Sequence, residues 1–136
     1  MRWTVLLARV GWVGLGGFLG ANARYWLGLW IQERMGSAFP WATFVINVTG
    51  SFVLGFFLTL LTDRFVPNAP ALRLAVAVGF VGAYTTFSTF EWETMELVAL
   101  SSWLRALGNA LGSLFAGFLA VWLGVILARV MSRYGI

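Results

Sequence analysis

The run GFVGAYTTFSTFEWETME, from Gly79 to Glu96, starts as a membrane helix would and then stops resembling one. Gly79 and Gly82 loosen it. Tyr84, Thr85, Thr86, Phe87, Ser88, Thr89 and Phe90 follow, a concentration of hydroxyls and rings without parallel elsewhere in the chain. Backbone at membrane depth leaves helical geometry only where protein or a water-filled cavity satisfies its polar groups. A helix broken here therefore points to a binding or permeation site.

Around that run the chain is overwhelmingly apolar. Of 136 residues, 60% are hydrophobic and 10% charged, and the mean hydropathy is +0.86. This is a membrane composition, with room for one domain over residues 1–136. Eight Trp and twelve Phe exceed what a soluble core of this size uses. There is no Cys, hence no disulfide framework and no thiolate metal site. There is no His, which removes the commonest general base, proton shuttle and metal ligand. The net charge of +4 is carried by nine Arg and no Lys. The arginines stand singly beside apolar runs, the pattern of membrane-flanking charges and not of a nucleic-acid surface. The N-terminus does not read as a cleaved signal peptide, because the first apolar run is long enough to span.

Four spans are predicted, roughly 4–31, 41–62, 71–101 and 104–131, giving an all-α multi-pass membrane protein with both termini on one side. Arginine counts on the two sides do not assign an orientation. The first span is glycine-rich, and Gly16 with Gly20 forms a small-xxx-small pair that permits close helix approach. Gly17, Ala21, Arg24 and Gly28 share another face. A charge deep in hydrocarbon costs about 2.5–3.5 kcal/mol on insertion scales, so Arg24 faces a vestibule or snorkels to an interface. In the second span Thr43, Asn47, Gly50 and Ser51 fall on one face. Asn47 lies roughly 9 Å inside that helix at 1.5 Å per residue. Its amide either ties two helices together or presents two N–H donors to a polar ligand. The fourth span carries a stripe of small residues from Gly108 to Gly124, with Asn109 and Ser113 as its polar members.

The third apolar run is too short to span before the break near 82–86. A second half-helix, from about Thr86 to Ser101, completes the crossing. Such a join leaves unpaired backbone groups on both sides. Carbonyls near Gly82 to Thr85 suit a cation, and N–H groups near Thr86 to Ser88 suit an anion. Phe87 and Phe90 share a side. Thr86, Thr89, Phe90 and Glu93 trace a neighbouring line. Ring edges are positive and can meet an anion; the plainer reading is that these rings pack. Glu93 is the acid nearest the hydroxyls, and Glu91 and Glu96 read as membrane-edge charges.

An enzyme is not expected: the chain has no metal motif, no nucleophile elbow and no histidine to activate a hydroxyl. Four helices make a poor pore wall alone, so self-association is expected, most simply as a two-fold dimer. The residues do not fix the sign of a transported ion, though surplus arginine and the lack of an intramembrane carboxylate cluster lean toward an anion. Two other readings stand beside this one. A small proton-coupled cation or multidrug exporter needs a membrane-buried carboxylate, and the first span has none before Glu33. A non-transporting packing subunit of a larger membrane complex would need only the small-residue faces.

With these motifs in view, the chain resembles the Fluc-type fluoride channels, small bacterial and archaeal exporters. The likeness covers essentially the whole chain. Gly79 to Thr94 is its most specific part, joined by Thr43 to Gly50 (TFVINVTG) and Gly20 to Arg24 (GANAR). The resemblance implies an antiparallel, dual-topology homodimer in the cytoplasmic (inner) membrane, with two pores and passive fluoride export that protects the cell from fluoride toxicity. It implies a structural Na+ at the dimer centre, held by carbonyls matching Gly82 and Thr85. It implies a fluoride route along Asn47, Thr86, Phe87, Ser88, Thr89, Phe90, Glu93, Asn109 and Ser113, with Arg24 in the vestibule. Gly82-Ala83 stands where many members have a Gly–Gly pair, and Asn109 where some have serine.

Overall fold

The computed structural model describes residues 3–63 and 69–134, whose regular structure is all helical. Four stretches are long and apolar enough to cross a membrane: Trp3–Met35, Trp41–Asp63, Ala69–Ala99 and Trp103–Tyr134. Arg2 and Arg64, two of the arginines read above as flanking charges, lie outside the described residues.

Helix α1 is Trp3–Met35. At 1.5 Å per residue it measures about 50 Å, against about 30 Å of hydrocarbon, so it tilts or protrudes. It stops at Gly36, whose φ of 72° suits glycine and whose N–H returns to the Gln32 carbonyl at 3.0 Å. Helix α2, Trp41–Asp63, starts directly after Pro40, a residue that fits a helix start because it has no N–H to satisfy.

Helix α3 covers residues 69–84, and its middle is not α-helical. The nine residues Arg73–Val81 form a π-helix, flanked by short α segments Ala69–Leu72 and Gly82–Tyr84. Long π stretches are rare, and they occur frequently at functional sites. Nothing in the apolar pattern announces this one. Helix α4, Phe87–Ala99, ends in a reversal through Ser101, at φ 56°. There Ser102 N–H reaches the Leu97 carbonyl at 2.8 Å, the six-to-one bond of a Schellman motif. Helix α5 is Trp103–Tyr134.

The helices pair off, α1 with α3 and α2 with α5. Glycine sets both approaches. A methyl on Gly16 would run into the Ala75 carbonyl, and one on Gly20 into that of Phe80. Across the second pair, a methyl on Gly55 would sit 2.5 Å from the Val121 carbonyl oxygen, and one on Gly124 would collide with that of Phe52. Association of helices in lipid rests on close packing, because lipid tails are as apolar as leucine. The outside is correspondingly apolar: Phe18, Trp26, Phe115, Phe118 and Trp122 are all exposed.

Candidate functional site

Helix α3 ends at Tyr84. Thr85 (φ −80°, ψ 157°) and Thr86 (φ −150°, ψ 110°) are extended, and α4 begins at Phe87. The polar groups of this step are met from α2. Asn47 pairs with both backbone groups of Thr86: Oδ1 accepts from its N–H at 2.8 Å, and Nδ2 donates to its carbonyl at 3.1 Å. An amide side chain thus replaces a strand partner. The Thr86 hydroxyl caps α4, accepting from Thr89 N–H at 3.3 Å and donating to the Thr89 hydroxyl at 2.9 Å. Without such a cap these donors stay unpaired.

The step frees carbonyls in the last turn of α3, those of Gly82 and Thr85 among them. In an unbroken helix the Gly82 carbonyl would receive Thr86 N–H, which instead goes to Asn47. The Thr85 carbonyl would receive Thr89 N–H, which instead goes to the Thr86 hydroxyl. Thr85 itself turns back, its N–H and its hydroxyl both donating to the Val81 carbonyl at 2.9 and 2.8 Å.

A cleft of about 630 Å³ opens beside the step. Asn47, Thr86, Phe87, Phe90 and Ser113 line it, together with Thr85, Gly50 and Ser51. Among the described residues no charged side chain contributes to its wall. The Phe87 and Phe90 rings lie 5.7 Å apart at 37°. Phe87 is 71% exposed, so this side of the cleft faces out of the protomer. The cleft brings together residues from five elements: α2, Val81 of α3, the extended step, α4 and α5.

Other expected residues lie apart from that wall. Asn109 is 1% exposed and buried between helices. Its Nδ2 donates to the Thr94 hydroxyl at 2.8 Å, which donates to the Phe90 carbonyl at 2.7 Å. Ser113 donates to Asn109 Oδ1 at 3.3 Å, closing a chain from the cleft wall to the backbone of Phe90. Glu93 accepts from the buried Thr43 hydroxyl at 2.9 Å. Its other oxygen has no partner among the described residues. Glu93 lines a second cavity of about 220 Å³, with Gln32, Ser37 and Glu96. Ser88 is exposed and lines neither cavity, and Thr89 serves the cap. Arg24 is half-buried on α1 and lines neither cavity. Gly82 is exposed, and a methyl there would meet nothing closer than the Ala77 carbonyl oxygen at 3.9 Å.

Sequence reasoning placed Thr43 and Ser51 on the polar face of α2 without giving them a role. Thr94 carried no signal at all, since a lone threonine on a helix is ordinary. Thr49 was likewise silent, yet its hydroxyl lies 2.9 Å from that of Tyr84.

Fold and site define a four-span integral membrane protein with a neutral, ring-edged cleft beside the extended Thr85–Thr86 step. The family described as CrcB-like protein, Camphor Resistance (CrcB), matches residues 11–125, and the chain belongs to it. The "Fluoride-specific ion channel FluC" of Acidobacterium capsulatum is 53% identical over 118 residues, covering 87% of this chain and 94% of the relative. Proteins with the same description from Solibacter usitatus and Magnetococcus marinus are 50% and 44% identical, covering 86% and 90% of this chain and 95% and 99% of each relative. The resemblance to the fluoride channels drawn from the motifs is thus confirmed across most of the chain.

Proposed function

We propose that the chain is a fluoride-selective channel that exports fluoride passively across the cytoplasmic membrane and so protects the cell from fluoride toxicity. The observation that carries this reading is the cleft wall formed by Asn47, Thr86, Phe87, Phe90 and Ser113, free of charged side chains. Its support from kinship is that the relatives are named as fluoride-specific ion channels. They are transport proteins and not enzymes, and nothing in that kinship favours the proton-coupled exporter or the packing subunit.

Fluoride is small and strongly hydrated, and a pore has to replace its lost water with close donors. Amide, hydroxyls and positive ring edges do this without a fixed cation that would trap the ion. Conduction needs binding firm enough for entry and weak enough for exit. The first N–H groups of α4, at Phe87 and Ser88, add helix-end donors beside the cleft. Arg24 raises the anion concentration at a vestibule. Thr89, Asn109 and Glu93 belong to the same polar seam, and Ser88 joins it at the start of α4.

The functional unit in this reading is an antiparallel homodimer of dual topology with a broken third membrane helix. The cleft opens out of the protomer past Phe87 and Phe118, so a second copy supplies the missing wall. A structural Na+ at the dimer centre fits the residues present. The Gly82 and Thr85 carbonyls have lost their helical donors, and oxygen is the ligand a hard cation takes. Gly82 is exposed on the protomer, where carbonyls of a second copy can join. The Gly82 and Thr85 carbonyls would hold the ion, which would supply the positive charge that offsets their unpaired dipoles.

Purified protein in liposomes loaded with potassium fluoride tests the function. Rapid efflux at a fluoride electrode, with chloride retained, is expected. Proton-coupled dye movement would instead support an exporter, and no flux from a folded dimer would support the packing subunit.

A further inference from the structure

We infer that Tyr84 and Thr49 are positioning residues that brace the cation-binding turn from α2. This rests on the carbonyl site proposed above. Tyr84 is the last residue of α3, directly before the extended step, and is 8% exposed. Its ring stacks on Phe80 at 5.6 Å and 11°. Its hydroxyl meets that of Thr49 at 2.9 Å. The direction of this bond follows from proton counting. A threonine hydroxyl has one hydrogen, and Thr49 Oγ1 lies 2.7 Å from the Val45 carbonyl, one helical turn back. Thr49 therefore spends its hydrogen within α2, and Tyr84 is the donor across the gap.

Three neighbouring positions of α2 then grip three successive residues of the step. Thr49 holds Tyr84 by its hydroxyl. Gly50 receives Thr85: a methyl on Gly50 would collide with Thr85 Cγ2 and stand 3.1 Å from the Tyr84 ring. Asn47 holds Thr86 by both backbone groups. The carbonyls of Gly82 and Thr85 lie on either side of Tyr84, so the brace restrains the turn that carries both. The turn is shaped within one protomer, before any second copy or ion arrives. A cation then binds a preorganised set of oxygens and does not have to create it, which raises affinity by lowering the ordering cost.

Tyr84→Phe removes the donor and keeps the ring. Thr49 retains its bond to Val45, so no buried group is orphaned and the fold is expected to survive. The test is thermal unfolding of the purified protein followed by tryptophan fluorescence, with sodium chloride titrated against N-methylglucamine chloride at fixed ionic strength. For the natural sequence the melting temperature should rise with sodium. In Tyr84→Phe and Thr49→Val the sodium midpoint should move up by about twofold to tenfold, the worth of one ordinary hydrogen bond. Thr49→Ser, which keeps the acceptor, should restore it. Fluoride-over-chloride selectivity in liposomes should stay unchanged at saturating sodium in Tyr84→Phe, because the hydroxyl is outside the cleft wall. A clear sodium response in the natural sequence with identical midpoints in both variants would overturn the brace alone. No sodium response in the natural sequence would overturn the carbonyl site, and the brace with it.

Discussion

The α2–α5 seam and the seating of α4 solve the same problem in opposite ways. Between α2 and α5, Gly55 and Gly124 let one backbone lie against the other. Helix α4 is held mainly by polar clasps: Asn47 on Thr86, Thr43 on Glu93 and Asn109 on Thr94. The first arrangement holds by the absence of side chains, the second by side chains that hydrogen-bond across the gap. The difference follows from what each region has to leave open. A seam closed by backbone contact leaves no room for a ligand, whereas polar clasps along α4 keep donors next to a cleft.

If that contrast is right, enlarging a glycine in the dry seam should do the most damage. Gly124→Ala forces a methyl into the Phe52 carbonyl and should destabilise by about 1–3 kcal/mol or more. Unfolding in detergent would measure this, and Gly14→Ala, with nothing within 4 Å of the added methyl, is the matched control. On the polar side the largest effect should come from Asn47→Asp. It loses the donor to the Thr86 carbonyl and places negative charge beside it, which should cost about 1–3 kcal/mol and abolish most fluoride flux. Conductance equal to that of the natural sequence would remove Asn47 from the route. Thr94→Val strips the fully buried Asn109 Nδ2 of its acceptor and should cost about 1–3 kcal/mol of stability, read by the same unfolding assay. Smallest in stability is Phe90→Ile. It should leave the assembled protein intact while fluoride flux falls roughly tenfold, the scale of a ring contact worth about 1.5 kcal/mol; full flux would mean that the rings only pack.

The same contrast marks what could be read in advance. The Gly16 and Gly20 pair announced a close contact four residues apart on one helix, and α3 supplies it. The hydroxyl run after Gly82 announced a departure from helix, and Thr85 and Thr86 are extended. Both signals are local, because spacing and composition report what one segment does with its own faces. The expectation that Asn47 either binds a neighbouring helix or meets a ligand stayed open in the sequence. The structure pairs the amide with Thr86 backbone and also sets it in the cleft wall. Asn109, by contrast, is fully buried and meets Thr94 and Ser113 rather than the cleft.

By itself the sequence determined a chain of four helices long and apolar enough to cross a membrane. Twenty apolar residues have few other stable environments, and unpaired backbone in lipid is prohibitively costly. Only the tertiary structure decided which helices are neighbours, that Arg73–Val81 winds as a π-helix, and which hydroxyl meets which acceptor. Those outcomes depend on contacts between segments far apart in the chain, such as Thr43 with Glu93 and Gly55 with Val121. Helical periodicity carries no record of them, because it describes the direction a side chain leaves its own axis and not what it finds there.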